Sequence, residues 1–365
     1  MTLLDIEDPP APTKPVRSVL RAQLTVVAIV WAGWLLLGGA QAFDAMRRQW
    51  AVAVTMIFGS LVGGGTSEGG GAVAFPVFTK ILQIPASDAR VFTYAVQSVG
   101  MTAASLCVLW LRVPVERRVL RLGIPAGVAG VLLGTTVLAP LLSLAQIRTY
   151  FTVLLTSLAL ALVVMQRRGG GARNASVPLR GRLETGVIIG AGFAGGVVSG
   201  LVGVGENTVM FIVLVLLFRV SEKVATPTTV ILMTAVSIAA FGSHVFLVRD
   251  FSGAVVEYWL AAVPVVVVGA PVGAMICSRM SRTAIRHVLL GLIAVEFVST
   301  LVLVRMDTAT RIAAAAALVA VTFGCCLLTS VRRYTPVGAK QLTGDTAGVD
   351  SSRAARGQRR SEPWP

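Results

Sequence analysis

Long apolar stretches recur along nearly the whole chain, and they constrain its fold more than any other feature. Only 13% of the residues are charged, about half the share found in soluble domains. Eight stretches are about 20 residues long, the length that a helix needs to cross a bilayer. They do not show the short segments of alternating apolar and polar residues that are typical of membrane β-barrels. We therefore predict an all-α integral membrane protein embedded in a lipid bilayer, with apolar stretches at 24–43, 91–111, 119–142, 146–165, 225–248, 255–278, 284–304 and 309–331.

The charge and the reactive residues argue against several functional classes. The net charge of +15 is carried by short loops and by a basic tail, as in membrane proteins oriented by positive inner loops, so no nucleic-acid partner is predicted. The four cysteines lie inside predicted helices, without metal-ligand spacing. We expect no metal and no other cofactor. No nucleophile–base pattern or phosphate-binding loop is readable, so we do not expect an enzyme.

Two apolar regions are interrupted by glycine. The stretch from Gly63 to Gly71 contains six glycines in nine residues, each of which costs about 1 kcal/mol in a helix relative to alanine. A second break runs from Gly203 to Asn207. Non-helical backbone at membrane depth must be covered by protein or must line a water-filled cavity. The breaks predict helical arms at 50–62 and 72–82 in the first segment, and at 185–202 and 208–218 in the second.

The two broken segments begin an internal repeat. The sequence from Gly59 to Gly65 resembles that from Ser199 to Gly205, and the similarity continues in order through Phe75 and Phe211, Ile84 and Val220, Ala89 and Ala225, and Thr93 and Thr229. A duplication predicts repeat 1 at 50–166 and repeat 2 at 185–305, joined by a basic cytoplasmic loop at 167–184. A first helix at 17–49 and a last helix at 306–333 flank them, and we expect disordered ends at 1–16 and 334–365.

Loop charge constrains the topology. If both broken segments turn back within the membrane, most Lys and Arg residues before the distal tail lie in inner loops, whereas they divide equally if every segment crosses. A topology in which only the second segment turns back satisfies the charges almost as well, but the short first arms favour two hairpins. We predict eight crossing helices and two re-entrant hairpins in an inverted repeat, in the cell membrane with both termini cytoplasmic. Ala40-Gln41-Ala42 leaves open whether 24–42 is cleaved as a signal.

The order of these features resembles the TauE/SafE family of sulfite-exporter-like membrane permeases. In both halves a glycine-rich break is followed by a short apolar arm, a polar turn and a long helix, with Phe75-Pro76 in the first arm and Ala225-Thr226-Pro227-Thr228-Thr229 after the second. The resemblance covers about 50–305 and implies transport of small anions, often sulfite or sulfonates. Thr66-Ser67-Glu68 and Glu206-Asn207 stand where glycines are usual, and Ile212 occupies the position that corresponds to Pro76. Because of these departures, the resemblance does not predict which anion this protein transports.

The breaks are the predicted binding site for a small anionic solute. Inverted-repeat transporters place substrate near the midplane, where broken helices point their ends at it. Glycines let a ligand approach the backbone, although they also permit close helix packing. The polar residues of the following helices either line the cavity or bond to neighbouring helices. The predicted substrate-binding residues are Gly69, Gly70, Gly71, Gln97, Ser98, Gly205, Asn207, Thr228 and Thr229.

Carboxyl groups in the breaks are candidates for ion coupling. Glu68 and Glu206 occupy nearly equivalent places, and an ionised group at membrane depth costs at least about 2.5 kcal/mol. Each could be protonated and couple transport to protons, cap the adjacent helix, or hold a cation. Glu296 lies in the middle of a predicted helix. It either takes part in ion coupling or forms a buried ion pair. His244 is either an interface residue or a proton relay.

Two arginines and the overall function leave alternatives open. Arg90 and Arg249 could steer anions at the outer mouth or anchor the protein at the interface. Our main hypothesis is a secondary exporter of a small anion such as sulfite or an organosulfonate, working by alternating access. A channel-like facilitator is the second, and a membrane-embedded enzyme or assembly factor is the third. Substrate, direction and assembly into a homo-oligomer are not determined by the sequence.

Overall fold

A computed structural model describes residues 16–66, 70, 74, 77–167, 173–178, 181–303, 308–331 and 334. In these ranges the regular elements are helices: α1 Val16–Arg48, α2 Trp50–Gly65, α3 Ala86–Trp110, α4 Arg117–Leu133, α5 Leu144–Arg167, α6 Arg182–Val202, α7 Glu206–Ile212, α8 Glu222–Ser243, α9 Ala254–Arg279, α10 Arg282–Leu303 and α11 Thr308–Ser330. Wider π-helical turns follow α4, α7 and α8, and another forms at Val77–Ile81. The predicted site residues Glu68, Gly69 and Gly71 lie outside the described residues.

Eight helices in the described ranges are long and apolar enough to cross a membrane, which confirms the all-α integral membrane class. The set includes Arg182–Val202, and the apolar stretch predicted at 146–165 lies within the 24-residue helix α5. The segment predicted as a hairpin arm at 185–202 is therefore a 21-residue helix, about 31 Å long. It reaches this length because its glycines lie within the helix and only Gly203 ends it, in a left-handed conformation (φ 94°).

The first break begins later than predicted. Helix α2 continues through Gly63 and Gly64 to Gly65, and the chain becomes extended only at Thr66 (φ −134°, ψ 163°). A Cβ atom on Gly64 would overlap the backbone of Ala270 in α9. These glycines are helical because the absent side chain lets two backbones touch, and the packing gained offsets their low helix propensity.

The chain reverses direction at both breaks. Gly70 lies against the carbonyl of Gly59, although α2 continues for six residues beyond Gly59. At the second break Gly205 lies against Val198, and Glu206 lies against Gly195. Residues after each break thus return alongside the helix before it, so the chain forms a hairpin at each break.

The two halves pack reciprocally. Helix α2 of the first half lies along α9 of the second, and α6 of the second lies along α4 of the first. Both contacts depend on glycine, with the α4–α6 contact formed by Gly123, Gly127, Gly130, Gly134, Gly192, Gly196 and Gly200. Helices α3 and α8 cross at the centre, where Ser105 and Thr234 hydroxyls are 2.7 Å apart. Such an exchange of partners is what two inverted copies of one unit produce.

The loop between the halves and the end of the chain pack on the second hairpin. Asn174 donates side-chain hydrogen bonds to the carbonyls of Phe218 (2.8 Å) and Tyr334 (2.9 Å). Tyr334, predicted to begin a disordered tail, is buried, and its hydroxyl donates to Glu184 Oε1 at 2.9 Å. Its ring also packs edge-on against Phe218. Of the ends predicted to be disordered at 1–16 and 334–365, all residues except Val16 and Tyr334 lie outside the described residues.

We expect Gly196→Ala to lower the free energy of unfolding by about 1–3 kcal/mol. A Cβ atom at Gly196 would overlap the carbonyl of Gly127 and crowd the backbone of Val131, so α4 and α6 must separate. Thermal unfolding of the purified protein in detergent measures the loss. Gly190→Ala on the same helix is the matched control, since no atom lies within 4 Å of its added carbon. Equal stability of the two variants would contradict close packing as the role of Gly196.

Candidate functional site

A small cavity lies between the first hairpin, α3 and α9. The hairpin contributes Gly59, Ser60 and Gly70, while α3 contributes Thr93 and Gln97. The Gln97 side-chain oxygen accepts a 2.6 Å hydrogen bond from Ser237 on α8, and its amide nitrogen is buried without a partner among the described residues. The cavity therefore carries an unused donor at the crossing of α3 and α8.

The cavity is small, with room for about one water molecule. A solute of several atoms fits there only if the surrounding helices move.

A second group of polar side chains, the buried polar cluster, consists of Tyr94, Thr135, Ser199 and Glu206. They come from α3, the end of α4, α6 and α7, and each is at most 5% exposed. The Tyr94 hydroxyl donates to the Ser199 carbonyl at 2.5 Å, and the hydroxyls of Thr135 and Ser199 lie beside it. Both halves of the protein therefore meet at this cluster.

Glu206 is the unusual member of the cluster. It is completely buried, and within the described part of the chain neither carboxyl oxygen has a hydrogen-bond partner. Gly203 (φ 94°) and Gly205 (φ 137°) adopt conformations that favour glycine, and they turn the chain so that Glu206 faces inward at the start of α7. Buried polar groups are ordinarily paired, so this carboxyl group, with the neighbouring unpaired oxygen of Asn207, marks a place for a proton, water or ligand.

Arg90 supplies positive charge near the cluster. It lies one helical turn before Tyr94 on α3, is partly buried, and donates to the Gly200 carbonyl at 3.5 Å. An arginine beside buried hydroxyls is an arrangement suited to an oxyanion.

The remaining predicted polar residues form hydrogen bonds away from the cavity and the second break. Ser98 donates to the Ala95 carbonyl at 2.8 Å, and Thr229 to the Thr226 carbonyl at 2.9 Å. Thr228 donates to the Val224 carbonyl and accepts a 2.9 Å hydrogen bond from the Glu116 amide. The structure thus brings Gly70 and Gln97 to the cavity and Gly205, Glu206 and Asn207 to the second break, while Ser98, Thr228 and Thr229 join neither group.

Glu296 belongs to a separate buried ion pair. Lys80, on the returning arm of the first hairpin, lies 3.2 Å from Glu296 Oε1, and both side chains are buried. The ammonium group also donates to Thr300 (2.9 Å) and Ser299 (3.0 Å), and Thr152 donates to the carboxylate at 3.2 Å. The pair fastens the hairpin to α10 and α5, which accounts for a carboxylate in the middle of an apolar helix.

Several of these residues escaped the sequence analysis. Lys80 was readable as a charge inside a short apolar arm, which is costly unless paired. Ser199 lies in the repeated motif, but a serine in a membrane helix does not by itself indicate a functional site because serine is common there. Thr135 lies in a π-helical turn after α4, and no sequence pattern marks such a turn.

Comparison with protein-family models identifies one family. The family model described as "Sulfite exporter TauE/SafE" matches residues 51–300. Comparison with curated proteins gave no match, and neither did comparison with solved structures. The family match covers more than half of the chain, and the protein therefore belongs to the TauE/SafE sulfite exporter family of membrane transporters.

Proposed function

We propose that this transporter moves a small oxyanion, such as sulfite or an organosulfonate, together with a proton. It exports the anion when the anion is more concentrated inside the cell. The observation that carries the proposal is Glu206, a fully buried carboxyl group without a partner among the described residues, placed where the two halves meet. Arg90 and the neighbouring hydroxyls supply the groups that recognise an oxyanion.

Electrostatics explains why a proton accompanies the anion. A carboxylate at membrane depth is costly by itself and would repel an anionic solute. Protonation removes both penalties and converts the carboxyl group into a hydrogen-bond donor. Anion and proton then favour each other's binding, and the loaded site changes its exposure from one side to the other. The small size of the cavity supports alternating access, since a solute fits only after the helices move.

The proposal is tested with the purified full-length protein in liposomes. An inward proton gradient should drive uptake of radiolabelled sulfite above its equilibrium level, and a protonophore should abolish the accumulation. Efflux from sulfite-loaded liposomes should alkalinise the interior, as reported by a trapped pH-sensitive dye. Flux that neither responds to nor moves protons would refute coupling, and the absence of flux for sulfite and a panel of organosulfonates would refute the substrate class.

Arg90→Gln should raise the KM for the transported anion about tenfold or more, because a charge-assisted hydrogen bond to the ion is lost. The maximal rate should change much less, since the glutamine still occupies the space. Initial uptake rates over a range of sulfite concentrations separate the two parameters. Arg182→Gln is the control, because Arg182 is exposed at the start of α6. An unchanged KM in Arg90→Gln would remove this residue from anion binding.

A further inference from the structure

His244 is completely buried at the end of α8, yet it is linked to the surface. Its Nδ1 atom lies 2.7 Å from Oδ1 of Asp250, whose side chain is 37% exposed. Its Nε2 atom is buried and has no hydrogen-bond partner in the described part of the chain. One ring nitrogen therefore contacts a solvent-accessible carboxylate, while the other is an unused polar group inside the protein.

The buried side of His244 lies next to the buried polar cluster. Its ring stacks on Tyr94, with ring centroids 5.6 Å apart and an interplanar angle of 27°. The Tyr94 hydroxyl in turn donates to Ser199, next to Glu206. These residues form a continuous series of contacts from the exposed Asp250 to the unpartnered carboxyl group.

We propose that Asp250 and His244 form the proton pathway that loads and unloads Glu206 from the face at which α8 ends. This inference rests on the proposed function, because it identifies the route of the coupled proton. In this proposal His244 and Asp250 guide the proton to and from Glu206. Other residues recognise the anion.

Each group on the pathway gains and loses one proton per cycle. Asp250 takes a proton from water and passes it to Nδ1 of His244. The doubly protonated ring releases its other proton from Nε2, and a water molecule carries it past Tyr94 to the Glu206 carboxylate. The ring returns to its first tautomer by moving one proton between its nitrogens through water. When transport runs in the opposite direction, Glu206 releases its proton to this face by the same steps in reverse.

The charged and titratable groups around the pathway are consistent with this role. The Asp250 carboxylate lies 2.7 Å from Nδ1 of His244, and Tyr94, which stacks on the ring, belongs to the same cluster as Glu206. Arg90 lies one helical turn before Tyr94 on α3. A ring that contacts a carboxylate on one side and the cluster on the other is placed to accept a proton and release it again.

The test compares His244→Gln and Asp250→Asn with the unaltered protein in liposomes. Proton-driven accumulation of radiolabelled sulfite should fall at least tenfold in His244→Gln and several-fold in Asp250→Asn. Exchange of labelled for unlabelled sulfite at equal pH needs no net proton movement and should stay within twofold. His287→Gln is the matched control, because the chain has only two histidines and His287 is exposed on α10.

The outcomes separate the pathway from the proposed function. If the unaltered protein moves sulfite with protons and both variants accumulate it normally, the pathway is refuted and the function stands. If either variant loses exchange as completely as accumulation, its role is structural and the pathway is again refuted. If the unaltered protein moves neither sulfite nor protons, the proposed function itself fails. Asp250→Asn lies on the surface and tests the pathway even if His244→Gln does not fold.

Discussion

Glu206→Gln is expected to reduce proton-driven accumulation of sulfite to the background of protein-free liposomes, while the protein still reaches the membrane in normal amounts. Glutamine has nearly the same shape and carries no charge, so burial costs less than for the carboxylate. It can neither bind nor release a proton, so the coupled step is lost. Exchange at equal pH should persist, because the neutral amide resembles the protonated acid that accompanies the anion.

Glu257→Gln is the appropriate control for this experiment. Glu257 is partly exposed at the start of α9 and pairs with Arg48 at the surface, so its loss should leave both accumulation and exchange unchanged. Normal proton-driven accumulation in Glu206→Gln would contradict the assignment of Glu206 as the coupling group. Glu206 would then be a buried carboxyl group without a role in coupling.

Lys80→Met is expected to destabilise the protein by about 3–5 kcal/mol, because Glu296 would remain buried as an unpaired charge. Thermal unfolding in detergent should show a large fall in the midpoint. Arg48→Met, which removes one partner of an exposed ion pair, is the control and should cost at most about 1 kcal/mol. A small effect at Lys80 would mean that water reaches Glu296.

The double variant Lys80→Met, Glu296→Leu distinguishes a structural pair from a coupling group. Replacing both partners by apolar residues removes the buried charges together, so stability should return to near that of the unaltered protein. If the pair only fastens the first hairpin, the restored protein should also transport sulfite. Restored stability with lost proton-driven accumulation would instead assign ion coupling to Glu296.

The membrane class, the repeat and the second break were predictable from the sequence because they depend on local properties. Transfer of about 20 apolar residues into lipid is favourable whatever they contact, and Gly203 and Gly205 end a helix through their own backbone conformations. Glu206 could be singled out because any carboxyl group at membrane depth is costly. The same reasoning could not distinguish a glycine that breaks a helix from one that packs it, and the first break was therefore placed too early.

The tertiary structure alone decided which residues act together. Lys80 and Glu296 are separated by 216 positions, and Tyr94 and Ser199 by 105, so no local pattern relates them. The glycines of α2 remain helical because α9 lies against them, and that contact exists only after the halves have exchanged partners. The sequence by itself determined that the chain enters a membrane and where its backbone cannot remain a plain helix. Pairing of buried charges depends on distances that only the packing of the helices sets. For the same reason the proposed proton pathway could be inferred only from the tertiary structure.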